Sequence, residues 1–277
     1  MFKVDFIGIG SGKCGSTWFF DNLVKHPELF DGNPKEINFF SDLYDRGVGW
    51  YESNFQGCPD GLKKGEFSVT YMYNSDAAER IHRYSTDVKL IAIVRDPIKR
   101  TYSDYWHFIR KGDISSKSSF ADYIRDEHHL SFGDYAQYLK PFYDRFGRDR
   151  IMVIVLEEFN RDYVKGFGDV YRFLGVNNVD FMPPDVEKKV NVGRSYRFLL
   201  LENIMVRGYR FLAKGGHNRL AEAIKRTGIP ELMRRMNQTS GALPPMPDAC
   251  REELKTYFDA RNTQLADLIG RDLSAWT

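Results

Sequence analysis

The 277-residue sequence has few cysteines, no long apolar run and almost no net charge. Its three cysteines, Cys14, Cys58 and Cys250, are far apart and odd in number, so they predict neither a disulfide framework nor a zinc site. A reducing cytoplasm is therefore the expected compartment. No apolar stretch reaches the about 18 residues of a membrane-spanning helix, and the first residues show no signal-peptide pattern. With 40 basic and 38 acidic side chains the net charge is +2, so nucleic acid is not an expected partner and any anion site must be local.

The pattern of apolar residues predicts an α/β fold. Short apolar runs at 6–9, 88–94 and 151–156 are typical of parallel strands that are buried on both faces. Helical patterns separate them, which predicts a central parallel sheet flanked by helices in three layers. We expect one domain over 1–277, with a core of about 1–194 and a helical C-terminal lobe of about 195–277. Further strand and helix predictions cover 65–70, 74–84, 98–110, 120–127, 135–146, 163–174, 198–212, 220–236 and 248–269.

A phosphate-binding turn is predicted near the start of the chain. The run from Phe6 to Ile9 is followed by Gly10, Gly12 and Gly15, with Lys13 between them, and then by a helical pattern. A strand, a glycine-rich turn and a helix start place backbone N–H groups and the positive end of the helix around an anion. Glycine allows the backbone to approach that anion closely.

Two known types of nucleotide-binding loop are partly similar to this pattern. The ATP and GTP loop needs Ser or Thr after Gly-Lys, but Cys14 occupies that place, and we interpret Cys14 as a small turn residue. The dinucleotide fingerprint G-x-G-x-x-G matches the three glycines, but it also needs an acidic residue at the end of a second strand. Asp31 has nearly the right spacing, yet the preceding His26-Pro27-Glu28 favours a helix end and a loop.

Two segments resemble sulfotransferases that use 3′-phosphoadenosine 5′-phosphosulfate (PAPS). The run KCGSTW at 13–18 is similar to their 5′-phosphosulfate loop, K-x-G-[ST]-[ST]. The run IVRDPIKRTYS at 93–103 resembles their 3′-phosphate motif, an R-[DN]-P turn followed by a serine on the next helix. Arg95 follows a predicted central strand, where open α/β sheets bind ligands. The resemblance implies that the nucleotide contacts Gly12, Lys13, Cys14, Gly15, Ser16, Thr17, Trp18, Arg95 and Ser103.

The resemblance also implies catalytic residues. The run KEINFF at 35–40 resembles the K-E-x-x-F-F segment of heparan-sulfate and related carbohydrate sulfotransferases, in which the glutamate is the base. Its equivalent is Glu36, and nearby aromatic residues, Phe39, Phe40, Trp50 and Tyr51, predict a partly dry site that raises its pKa. His107 lies one helical turn after Ser103, as a histidine near the active site does in heparan N-sulfotransferases.

Arg194 agrees with the sulfotransferase pattern, and Phe67 differs from it. Arg194 occupies the place of a loop that closes over the 3′-phosphate, so it is a further nucleotide-binding candidate. Many heparan-type members have a lysine after the glutamate of the segment like GEFS at 65–68, but this sequence has Phe67. This difference leaves the acceptor open more than the nucleotide.

The sequence thus predicts transfer of a sulfuryl group from PAPS, with 3′-phosphoadenosine 5′-phosphate (PAP) as product and no metal. The acceptor is a hydroxyl or amine of a small molecule, a glycan or a lipid-linked compound, and a carbohydrate is favoured. A P-loop nucleotide kinase is the alternative enzyme. A non-catalytic protein that binds nucleotides or membrane surfaces is the other alternative, because basic residues alternate with apolar ones at 197–214 and 219–235. A packed helix with a solvated basic face is favoured over membrane contact there.

Overall fold

Five short parallel strands form the central sheet in a computed structural model. It describes residues 3–115, 117–184, 186 and 243–276, together with the backbone of 195–196 and 238–239. The order of the strands across the sheet is β2-β3-β1-β4-β5, which places β1 at the centre. The strands are β1 Phe6–Gly10, β2 Leu29–Asp31, β3 Lys63–Phe67, β4 Lys89–Val94 and β5 Ile151–Val155. The predicted parallel sheet flanked by helices is confirmed.

Burial on both faces explains why the strand sequences are almost entirely apolar. All five residues of β1 are buried, as are the last five residues of β4. Helices cover both faces of such a sheet, so neither face meets water. The helices are α1 Ser16–Leu23, α2 Val48–Ser53, α3 Ala77–Tyr84, α4 Pro97–Lys111, α5 Phe120–Ile124, α6 Glu127–Ser131, α7 Tyr135–Phe146, α8 Leu156–Arg161, α9 Tyr163–Leu174 and α10 Asp248–Ile269.

Glycine and phenylalanine face each other where β1 pairs with β3. Phe6 lies opposite Gly65, and Gly8 lies opposite Phe67. A Cβ atom on Gly8 would come within 2.0 Å of Phe67 Cδ2, and one on Gly65 within 2.2 Å of Phe6 Cζ. Each ring therefore occupies the space above a glycine of the neighbouring strand. These contacts fix the register of the two strands, because a shift by one residue would drive both rings into larger side chains.

The described residues form two compact units. The first comprises Met1–Arg100, Phe132–Val190 and Lys255–Thr277 and holds the whole five-stranded sheet. In it, the end of the chain returns to the sheet, and Trp276 Nε1 donates a hydrogen bond to Glu157 Oε2 at 3.2 Å.

The second unit comprises Thr101–Ser131 and Asn191–Leu254. It contains most of α4, the helices α5 and α6, and a two-stranded antiparallel pair, β6 Ser195–Tyr196 with β7 Gln238–Thr239. The helices predicted at 198–212 and 220–236 lie outside the described residues. The helical C-terminal lobe and the domain boundary at 194 stay predictions.

One segment differs from its prediction in a way that bears on the nucleotide loop. Residues 29–31 were expected to be a loop, but they form β2, so Asp31 does end a second strand. However, β3 lies between β1 and β2. In the dinucleotide fold the second strand lies directly beside the first, because the acidic residue must reach the ribose of a nucleotide bound at the first strand. The strand order therefore disfavours the dinucleotide reading, although the spacing fits it.

Candidate nucleotide and acceptor site

The glycine-rich loop joins the carboxyl end of β1 to the start of α1. Gly15 occupies the N-cap position with φ 80° and ψ 12°, and its carbonyl accepts a hydrogen bond from Phe19 N at 3.0 Å. This left-handed conformation favours glycine. A Cβ atom at position 15 would also lie 3.1 Å from Leu156 Cδ1. Gly15 is therefore needed for both the backbone turn and the close approach of α8.

The N-terminus of α1 is suited to receive an anion. No side chain of the described residues caps it, and its first turn contains no acidic residue. Its first N–H groups therefore keep their capacity to donate hydrogen bonds, and the helix dipole favours negative charge there. A Cβ atom built on Gly12 would meet no described atom within 4 Å, so there is open space beside the loop. Ser16 is buried and Thr17 is half-buried at this end of the helix.

Arg95 connects the two predicted phosphate-binding segments. It follows β4, which pairs directly with β1, and its Nη1 atom donates a hydrogen bond to the backbone carbonyl of Lys13 at 3.3 Å. Asp96 fixes the turn that follows, because its Oδ1 atom accepts from Ile98 N at 2.9 Å as a cap of α4. Within the first unit, the R-D-P turn and the Lys13 loop therefore lie side by side.

Two predicted nucleotide-binding side chains are part of the protein interior. Cys14 is fully buried, and burial raises the pKa of its thiol, which makes it a poor nucleophile at neutral pH. The Trp18 ring packs edge-on against Phe159 with centroids 6.1 Å apart, and its Nε1 atom donates to the Val186 carbonyl at 3.2 Å. This placement favours a core role for the Trp18 ring, and nucleotide contact by either residue stays a prediction.

The predicted dry surroundings of Glu36 are wrong. Its side chain is exposed, in the irregular segment between β2 and α2. Phe39 and Phe40 point into the core instead, where the Phe39 ring stacks on Tyr51 with centroids 4.8 Å apart. Asn38 Nδ2 donates to the Glu36 carbonyl at 3.2 Å. The aromatic residues therefore set the path of this segment without enclosing the Glu36 carboxylate.

The carboxyl that Tyr51 contacts belongs to Glu66, whose Oε1 atom lies 3.5 Å from the Tyr51 hydroxyl. Glu66 lies on β3 beside Ile7 and is fully buried. Burial raises its pKa from 4.5 to about 7, against hydrogen bonds from Ser68 and Tyr71 that lower it. None of the sequence motifs points to this residue. The signal was present, because a charged side chain within a strand of a two-sided parallel sheet has to be buried and must find hydrogen-bond partners.

The remaining predicted residues lie elsewhere. Ser103 and His107 are half-buried on α4, in the part that belongs to the second unit, where the His107 ring lies edge-on to Phe108 at 6.1 Å. Arg194 lies outside the described residues. The roles of these three residues stay predictions.

Comparison with known proteins identifies the family. The family model of the sulfotransferase domain matches residues 3–190, which include the Lys13 loop, the Glu36 segment and the Arg95 turn. This chain belongs to the sulfotransferase domain family. The predicted family is thereby confirmed.

Individual sulfotransferases are similar over different shares of the chain. A crystal structure of a sulfotransferase from Alicyclobacillus acidocaldarius is 26% identical with a TM-score of 0.70, covering 100% of this chain and 99% of that one. Human heparan sulfate glucosamine 3-O-sulfotransferase 6 is 28% identical over 178 residues, 62% of this chain and 52% of that protein. The membrane-associated sulfotransferase kil1 of Dictyostelium discoideum is 35% identical over 107 residues, 38% of this chain and 22% of that protein. The chain thus spans about half the length of the heparan-type relatives.

The departure at Phe67 has a structural explanation in this sulfotransferase domain. Its side chain is 1% exposed and packs over Gly8, and it contacts the rings of Phe19 and Phe20. A lysine there would have to lose these contacts or bury its charge. In this chain, position 67 therefore contributes to the core of the sheet and supplies no cation.

Neither metal binding nor membrane insertion finds support among the described residues. Within 3–115, 117–184 and 243–276, no three His, Cys, Asp or Glu side chains cluster as metal ligands would. No helix of that part of the chain is long and apolar enough to cross a bilayer. The metal-free reaction and the cytoplasmic location stay predictions.

Proposed function

We propose that this chain transfers a sulfuryl group from PAPS to a hydroxyl or amine of an acceptor, most simply a carbohydrate or glycoconjugate. The observation that supports this proposal is the hydrogen bond from Arg95 to the Lys13 carbonyl. It joins two cation-bearing segments at the carboxyl ends of neighbouring strands, where α/β sheets bind nucleotides. A nucleotide with separate 5′ and 3′ phosphate groups needs two such anion sites close together.

The residues of the loop fit the 5′ end of PAPS. The uncapped first turn of α1 offers N–H donors, and the proposed role of Lys13, three residues before the helix, is to add a positive charge to them. Lys13 has φ 65°, a conformation that side chains other than glycine rarely adopt. Such strain is typical of functional loops. The Arg95 guanidinium and the Ser103 hydroxyl are proposed to hold the 3′-phosphate, with Arg194 as a further contact.

The proposed chemistry is an in-line displacement at sulfur. The acceptor oxygen or nitrogen forms a bond to sulfur while the bond between sulfur and the bridging oxygen breaks. The electron pair of that bond stays on the 5′-phosphate of PAP, and the acceptor proton passes to the Glu36 carboxylate. Lys13 and the loop N–H groups stabilise the negative charge that develops on the bridging oxygen. His107 is a second candidate for proton transfer.

Nucleotide selectivity tests the proposal first. Isothermal calorimetry should show that PAP binds while ATP and NAD do not compete. Lys13→Ala should weaken PAP binding, and Lys140→Ala serves as a matched control, because Lys140 is exposed on α7 and pairs only with Asp144 among the described residues. Tighter binding of ATP in the presence of magnesium would contradict the proposal and favour a kinase.

Turnover tests the role of Glu36. Radiolabelled PAPS should be incubated with heparan sulfate, with its de-sulfated form and with simple glycosides, since the human relative is named for heparan sulfate glucosamine. Glu36→Gln should lower label transfer to the best of these acceptors by orders of magnitude, to a slow but measurable rate, while leaving PAP binding intact. Full activity of Glu36→Gln would refute its role as base without refuting the donor.

A further inference from the structure

The segment that carries Glu36 is held in place by two hydrogen-bonded relays. In the first, the backbone N–H of Asn38 donates to Ser68 Oγ at 3.0 Å, and the Ser68 hydroxyl donates to Glu66 Oε2 at 2.6 Å. In the second, the N–H of Phe39 donates to Tyr71 Oη at 2.9 Å, and the Tyr71 hydroxyl donates to Glu66 Oε1 at 2.6 Å. Both relays end on the same carboxyl group.

Hydrogen bonds of the Asn38 side chain extend this network to the backbone of Glu36. Thr70 Oγ1 donates to Asn38 Oδ1 at 2.8 Å, which orients the amide so that its Nδ2 atom donates to the Glu36 carbonyl at 3.2 Å. Asn38 has φ 53°, a left-handed conformation that asparagine tolerates better than most residues, and these hydrogen bonds hold it there. The exposed Glu36 side chain thus projects from a backbone that is anchored two and three residues later.

We propose that Glu66 is a positioning residue, which fixes the backbone of the Glu36 segment by accepting the Ser68 and Tyr71 hydroxyls at the same time. The role in catalysis rests on the proposed function of Glu36, whereas the role in ordering the segment does not. Only a carboxylate can perform this task. A neutral carboxyl or a carboxamide has one donor in place of an acceptor, so one hydroxyl hydrogen would lose its partner in a buried site.

The surroundings of Glu66 raise the pKa of its carboxyl into the neutral range. Burial raises its pKa to about 7, and the charge of Glu36 adds to this rise. The hydroxyl of Tyr51, a residue of α2, lies 3.5 Å from Glu66 Oε1. Tyr71, in the turn after β3, donates its hydroxyl to the same oxygen. Burial raises the pKa of both tyrosines well above the usual value, so they stay neutral near pH 7. On the β1 side, the neighbour in register is the apolar Ile7.

Amide hydrogen exchange tests the ordering role without any acceptor. In Glu66→Gln at pH 8, the carboxamide nitrogen faces one of the two hydroxyls, and the N–H group of that relay, Asn38 or Phe39, should exchange about tenfold faster than in the wild type, as expected when one buried hydrogen bond is lost. Ser68→Ala should release Asn38 alone, and Tyr71→Phe should release Phe39 alone. Glu36→Gln is the matched control, because it changes a carboxyl in the same segment yet should leave both amides protected. Unchanged protection in a folded Glu66→Gln protein would overturn the proposal.

A double-variant cycle tests the link to catalysis. With labelled PAPS and the best acceptor of the screen, or with donor hydrolysis if none reacts, Glu66→Gln should lower kcat about tenfold or more and leave PAP affinity unchanged. The same change should have no further effect in a Glu36→Gln background. Wild-type activity should rise with pH through about 7, and this rise should be lost in Glu66→Gln. Equal effects of Glu66→Gln in both backgrounds would refute positioning through Glu36. Loss of amide protection without any loss of kcat would refute the link between this order and catalysis and leave the ordering role intact.

Discussion

The buried carboxyl of Glu66 should make the stability of this protein fall as pH rises from 5 to 8. Its pKa in the folded protein is about 7 against 4.5 for the free side chain. The folded state therefore holds the proton more strongly than the unfolded state does. The stabilisation from this group is complete below pH 4.5 and is lost as the pH rises through about 7.

The size of the effect follows from the shift. One pKa unit corresponds to about 1.4 kcal/mol, so the full change from 4.5 to about 7 amounts to about 3 kcal/mol in the free energy of unfolding. Most of it, about 2–3 kcal/mol, falls between pH 5 and pH 8. This is a large part of the total stability of an ordinary domain.

Urea unfolding at pH 5, 6, 7 and 8 measures the effect, with Glu66→Gln compared with the wild type at each pH. Other titrating groups are common to both proteins, so their contributions cancel in the difference. Relative to the variant, the wild type should become less stable with rising pH. Glu79→Gln, an exposed carboxyl on α3 that is 55% accessible, serves as the control and should show no such slope.

A flat difference between wild type and Glu66→Gln across this pH range would refute the reasoning, because it would place the Glu66 pKa near its ordinary value. A difference of opposite sign would mean that the hydrogen bonds from Ser68 and Tyr71 outweigh burial. If the prediction holds, the protein loses stability at the pH at which the carboxylate orders the Glu36 segment. Such a cost is typical of functional sites.

Three further predictions concern the glycine-rich loop and the Arg95 turn. Lys13→Ala should lower kcat roughly 10²–10³-fold in the transfer assay, because it removes a cation from the developing charge. Arg95→Ala should raise the KM for PAPS roughly tenfold or more with a smaller effect on kcat, since a charge-assisted hydrogen bond to phosphate is lost. Gly15→Ala should lower the free energy of unfolding by about 1–2 kcal/mol in urea, because alanine disfavours the left-handed conformation with φ 80°. The matched change Gly49→Ala, in open space on α2, should not destabilise the protein.

For each of these three variants, one result would contradict the prediction. Wild-type kcat in Lys13→Ala would exclude it from stabilising the leaving phosphate. An unchanged KM in Arg95→Ala would remove Arg95 from the nucleotide site. Equal stability of Gly15→Ala and the wild type would show that the turn tolerates a side chain.

The glycine-rich loop between a strand and a helix was predictable from the sequence because its signals are local. Glycines around a lysine, a strand before them and a helix after them need only neighbouring residues to be recognised, and the structure reproduces that order. The R-D-P turn was predictable for the same reason, since Asp96 caps the helix that begins at Pro97. Their proximity followed from the rule that carboxyl ends of parallel strands meet at one edge.

The surroundings of Glu36 were not predictable in this way. Aromatic residues at 39, 40, 50 and 51 indicated a dry site, but sequence spacing does not tell which way side chains of an irregular segment point. In the fold Phe39, Phe40 and Tyr51 are buried in the core. The carboxyl that Tyr51 contacts together with Ser68 and Tyr71 belongs to Glu66, which is 30 residues away from Glu36 along the chain.

The sequence alone determined the fold class, the position of the glycine-rich loop and the family, because apolar periodicity and short motifs are properties of adjacent residues. Tertiary structure decided three things. It placed β3 between β1 and β2, which disfavours the dinucleotide interpretation of the three glycines. It put Phe67 over Gly8 in the core. It also joined Glu66 to the Glu36 segment through hydroxyl groups, because the direction of a buried hydrogen bond depends on which distant residues the sheet brings together.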